Sequence, residues 1–142
     1  MEELSKKSRK NKKQAFLIEA SIYFYGEHFN QNYDKAIEII ESSQFFSESE
    51  PEQLIILGQS YYFKYILSDM TSSSFYFKAK KYLRKSYELD SGYATRELAF
   101  LLIRSESLDD LEIAGDIFEI FANEGKEEDI RNYKAYLRAI EN

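Results

Sequence analysis

At 142 residues the chain reads as one domain, long enough to bury roughly 70% of the surface its unfolded form exposes. It has no cysteine, which excludes disulfides and thiolate zinc sites, and its one proline and five glycines are too few for a sandwich or barrel of short strands. The net charge of −6 is uneven: residues 1–14 carry six Lys/Arg against Glu2 and Glu3, so the remainder carries −10 and is a poor match for broad contact with nucleic acid phosphates.

Apolar spacing predicts seven helices. The first runs from about Lys12 to His28, with Phe16, Ala20, Ile22 and Tyr23 near one stripe. Asn30 and Asn32 form the turn after it. The second covers about Tyr33 to Gln44, with Ala36, Ile37, Ile39 and Ile40 apolar. Pro51 suits the first turn of a third helix that extends to about Ser68. Leu54, Leu57, Gly58 and Tyr61 form one face of it; Ile55, Tyr62 and Ile66 form another. A helix apolar on two faces is sandwiched between neighbours or presents a binding surface.

The polar run 69–74 precedes a fourth helix, about Phe75 to Leu89. Phe75, Ala79, Tyr82, Leu83 and Ser86 make its inner face, and Lys78, Lys80, Lys81, Arg84 and Lys85 an exposed one. Asp90-Ser91-Gly92 stops it, and the fifth helix follows from about Tyr93 to Arg104. The sixth opens near Asp109-Asp110, acids placed for the helix dipole, and Gly125 lies beyond its end as a C-cap. The seventh, about Lys126 to Ile140, has one apolar stripe of Ile130, Tyr133, Leu137 and Ile140, which suits a helix that closes a stack. The cluster Glu127-Glu128-Asp129 at its start reads as a solvated face.

Ala36, Ala79 and Ala114 recur on the second helix of each pair, with a large apolar residue four positions on: Ile40, Leu83 and Phe118. The middle unit resembles a tetratricopeptide (TPR) repeat. Leu54, Leu57, Gly58 and Tyr61 match the first helix of that pattern, Ala79, Leu83 and Ser86 match the second, and Ser91 stands where the family has proline. Phe16, Ala20, Tyr23, Ala36 and Ile40 fit a first unit; Ala99, Leu102, Ala114 and Phe118 fit a third. No unit has the family's ideal length, and the stretch between Tyr61 and Ala79 is longer than the pattern. An unrelated helical bundle with these residues as ordinary core is the alternative. The resemblance implies an all-α, right-handed stack of about three helix–turn–helix units with a C-terminal capping helix, occupying residues 13–142 behind a basic tail at 1–12.

The resemblance further implies a concave wall built by the first helix of each pair. Its groove positions fall on Leu17, Ser21, Phe24 and Tyr25 in unit one, and on Ile55, Gln59, Tyr62 and Phe63 in unit two. Unit three supplies Arg96, Phe100, Ile103 and Arg104. This set lacks the Lys, Arg and Asn expected of a carboxylate-binding groove and suits an amphipathic helix or apolar peptide. Packing of the same aromatics as core is the competing reading for Tyr25, Tyr62 and Phe63.

The expected function is protein–protein interaction, as an adaptor or small chaperone. Small acidic TPR proteins of type III secretion are similar in size and charge. The alternative is a nucleic acid-associated scaffold working through the tail SKKSRKNKK, whose other readings are an anionic membrane contact, an import signal or a solvated terminus. The single histidine, His28, reads as a residue at a helix end. With no phosphate-cradling or nucleophile-elbow pattern, the chain is expected to be neither an enzyme nor a cofactor protein. No run of about 18 apolar residues predicts a membrane span, and the expected location is the cytoplasm.

Overall fold

The computed structural model describes residues 2–26 and 30–141, with side chains from Gln14 onward. His28 and the side chains of the Lys/Arg-rich segment lie outside the described residues. The described chain holds seven α-helices: α1 (Glu2–Tyr25), α2 (Tyr33–Ser42), α3 (Pro51–Leu67), α4 (Ser73–Leu89), α5 (Arg96–Leu102), α6 (Leu108–Ala122) and α7 (Glu127–Glu141). No strand occurs among the described residues.

Side-chain caps set most of the helix starts. Asn32, Ser72, Thr95 and Ser107 each accept a hydrogen bond from a backbone N–H three residues on, satisfying a donor that the first turn leaves free. Pro51 occupies the first turn of α3. Two boundaries differ from the sequence pattern. α1 begins ten residues before Lys12, because Glu2–Asn11 has helix-forming residues but no apolar period to reveal it. α5 begins at Arg96 and not at Tyr93. Ser91–Tyr93 is instead a 3-10 turn, fixed by Asp90 accepting from the Gly92 N–H.

The helices pack as successive hairpins, α1 on α2, α3 on α4 and α5 on α6, with each hairpin against the next and α7 against α6. Ala36, Ala79 and Ala114 are buried, and so are Ile40, Leu83 and Phe118 four residues after each. Close approach within the central hairpin depends on Gly58. A Cβ there would lie 2.6 Å from Leu83 Cγ and 3.1 Å from the Leu83 backbone nitrogen. Gly115 plays the same part between α6 and α7, where a Cβ would lie 2.6 Å from Cε1 of Tyr136.

Polar links tie helices across the stack. The Tyr76 hydroxyl donates to the Leu101 carbonyl at 2.8 Å, and the Tyr136 hydroxyl donates to the Leu111 carbonyl at 2.8 Å. Two buried aspartates, each third in its helix, reach back further. Asp110 of α6 receives Lys80 at 2.6 Å and also Arg84, both from α4. Asp129 of α7 receives Nε and Nη2 of Arg96 of α5 at 2.7 and 2.8 Å. These pairings correct two expectations. Asp129 is only 4% exposed, not solvated, and Lys80 and Arg84 are half-buried partners of Asp110 and not a free basic face.

Burial alone would raise the Asp110 carboxyl. Hydrogen bonds from Lys80 and Ser105, with the charges of Lys80 and Arg84, outweigh it and hold the group below the usual carboxylate range. For Asp129 the Arg96 hydrogen bond is the largest influence and also holds the group low.

Candidate functional site

The residues that the sequence places on the first helices fall into three roles. On α3, Gln53, Leu54, Ile56, Leu57, Gly58, Ser60, Tyr61 and Tyr65 are buried, which occupies more than half of the helix circumference. Ile55, Gln59, Tyr62 and Ile66 remain, at i, i+4, i+7 and i+11, so they form one stripe along the opposite side. The first three are half-buried and Ile66 is 40% exposed.

Aromatic rings connect this stripe to α1. Tyr62 meets Phe63 edge-on at 5.3 Å between centroids, and Phe63 lies 6.0 Å from Phe24. Tyr33, at the start of α2, completes the cluster: its ring stacks on Phe63 at 5.3 Å and meets Phe24 at 5.8 Å. Phe24 is buried, so it supports the wall from beneath and is not a surface residue. Tyr25 packs edge-on against Phe24 at 4.8 Å and is 57% exposed. Leu17 is half-buried against the core, and the Ser21 hydroxyl donates to the Leu17 carbonyl at 2.8 Å, so its polarity is spent within α1.

On the other side α3 meets α5. Gln59 Nε2 donates to Glu97 Oε1 at 3.3 Å. Burial is the main influence raising the Tyr62 phenol, with the negative charge of Glu97 next. Phe100 is half-buried and packs on Phe118 at 5.9 Å, while Ile103 is exposed. Arg96 is not available as a wall residue. Asp129 takes its donors, and its guanidinium lies 4.2 Å from the Phe121 ring centroid. Arg104 is exposed and donates to Met70 Sδ at 3.8 Å.

The structure thus brings Tyr62, Phe63, Ile55 and Gln59 together along α3, with Phe24 beneath Phe63 and Tyr25 packed on Phe24. The sequence places Ile66 on one face with Ile55 and Tyr62, but not Ile18, Tyr33 or Glu97 near it. Ile18 is 61% exposed and lies seven residues from Tyr25, so both fall on one side of α1. Spacing from Tyr25 could have found Ile18; nothing local marks Tyr33 or Glu97. A hollow of about 390 Å³ opens beside the cluster. Its lining includes Tyr33, Asp34, Lys64, Leu67 and Phe75, and the Lys64–Asp34 ion pair lies in that lining.

Among the described residues, no three His, Cys, Asp or Glu side chains are grouped so as to hold a metal ion. Among the same residues, no helix is long and apolar enough to cross a membrane. Comparison of the chain with family models, curated proteins and solved structures finds no match.

Proposed function

We propose that the chain is a TPR-like binding module, and not an enzyme, that holds an apolar peptide or amphipathic helix of another protein along α1, α3 and α5. The observation that carries this reading is the uncovered side of α3. Beyond Glu52 in the first turn it is largely apolar, and Gln59 within it is already engaged by Glu97. Ile18 and Tyr25 extend the same character onto α1, and Ile103 onto α5. Tyrosine suits such a surface, since it offers a large contact area and a hydroxyl at low entropic cost. A chaperone that shields an aggregation-prone partner is the more specific form of the reading.

The test compares wild type with Tyr62→Ala/Ile66→Ser as bait in the native organism, followed by mass spectrometry. A partner lost from the variant, with helical circular dichroism unchanged, supports the wall. A partner that binds both equally refutes it. Binding through the wall changes little between low and moderate salt, whereas binding through the Lys/Arg-rich segment collapses with salt and is lost on deletion of residues 1–13.

A further inference from the structure

Among the described residues, the wall carries a half-buried carboxylate, Glu97, that forms no ion pair. Glu97 lies in the first turn of α5, half-buried beside the α3 stripe. Its hydrogen bond comes from the neutral Gln59, at 3.3 Å. Of the other carboxylates that link helices among the described residues, Asp34 is met by Lys64, Asp110 by Lys80 and Arg84, and Asp129 by Arg96, while the exposed Glu41 accepts from the neutral Tyr61 hydroxyl at 2.9 Å. Among the described residues no lysine or arginine forms an ion pair with Glu97. Arg96, next in sequence, directs its guanidinium to Asp129, and Arg104 directs its own to Met70. An acid in the first turn also suits the helix dipole, but Asp109 does the same for α6 while exposed.

An uncharged apolar segment laid over this wall would strip water from the Glu97 carboxylate and return nothing, and an acidic one would add repulsion. A segment that brings its own cation restores the lost solvation and gains a charge-assisted hydrogen bond. We propose that Glu97 selects the occupant, which is an apolar or aromatic peptide segment carrying a lysine or arginine that pairs with this carboxylate. The inference rests on the docking reading above and adds the chemistry of the partner.

The probe is a displayed library of short random peptides, selected separately on wild type, Glu97→Gln and Glu97→Lys. Glu97→Gln keeps the size of the side chain and an acceptor for Gln59. Wild type is expected to enrich apolar peptides with a Lys or Arg. Those peptides should bind about tenfold more weakly to Glu97→Gln, since close charge pairs at interfaces contribute on the order of 1.5 kcal/mol or more. Glu97→Lys is expected to enrich Asp or Glu instead; if it fails to fold, the Gln variant decides. Peptides that depend on Tyr62 and Ile66 but show no basic excess over the input library overturn charge selection and leave the docking reading standing. A library that yields no peptide dependent on Tyr62 and Ile66 overturns both.

Discussion

Replacing Gly58 tests the close contact of α3 with α4. In an exposed helix interior, glycine to alanine stabilises by about 1 kcal/mol. At position 58 the new methyl would lie 2.6 Å from Leu83 Cγ and 2.7 Å from Cδ2, well inside contact distance. Leu83 is fully buried, so its side chain has no open space to turn into, and the backbone nitrogen at 3.1 Å limits sliding of α4. Overpacking of this kind costs about 1–3 kcal/mol, which offsets or exceeds the helix gain, so Gly58→Ala is expected to destabilise by about 1 kcal/mol. Gly58→Leu should cost about 4 kcal/mol or more, because the paired helices must separate. The assay is urea unfolding followed by circular dichroism, with Leu83→Ala added as the second arm. That substitution alone removes buried volume and costs about 2–5 kcal/mol. Combined with Gly58→Ala it should cost clearly less than the sum of the two, since the methyl occupies vacated space. An alanine variant more stable than wild type, or strict additivity in the pair, would refute the claimed contact.

Gly115→Ala should cost about 1–2 kcal/mol, because the methyl displaces the Tyr136 ring and its hydrogen bond to Leu111; hydrogen exchange should place the loss in α4 through α7, and an equal loss in α1 and α2 would contradict this. Arg96→Ala should destabilise by about 2 kcal/mol by removing charged hydrogen bonds from a buried carboxylate, as read by thermal unfolding. Asp110 and Asp129 both titrate below their ordinary value when folded, so their contribution is fully present above about pH 4 and is lost as the pH falls through the depressed folded values. An acid titration of stability should therefore flatten in Asp129→Asn, and an unchanged acid limb would count against the clamp. Met70→Gly should stabilise by about 1 kcal/mol, since Asp69 and Met70 occupy consecutive left-handed conformations with φ of 56° and 59°; calorimetry showing a lower unfolding temperature would contradict it.

Most of the helical framework is legible in the chain because its signals are local. Pro51, the turn at Asn30 and Asn32, the acids Asp109-Asp110 at the start of α6, and the alternating arcs of α3 each act within a turn or two. The misreadings involve residues whose partners are distant. Asp129 looks like one of three surface acids until Arg96, 33 residues earlier, is brought against it. Lys80 looks like part of a solvated basic face until Asp110 arrives from 30 residues away. The wall was half visible. Helical spacing groups Ile55, Tyr62 and Ile66, and the TPR resemblance adds Tyr25 and Phe24, but Phe24 belongs beneath the surface because Tyr33 and Phe63 close over it, a contact that no periodicity encodes. Gly115 was overshadowed by its neighbour Ala114, and only the path of α7 reveals which of the two faces Tyr136.

The two buried aspartates bear on how this stack comes apart. In an array where each unit touches only its neighbours, an end can peel away while the rest persists. Here Asp110 fastens α6 to α4 and Asp129 fastens α7 to α5, so each fastening skips over one helix. Peeling α7 strands a guanidinium on α5, and loosening α5 in turn disturbs the seat of α7. The last four helices are thereby laced into a single melting unit, and slow-exchanging amides in α4 through α7 should open together.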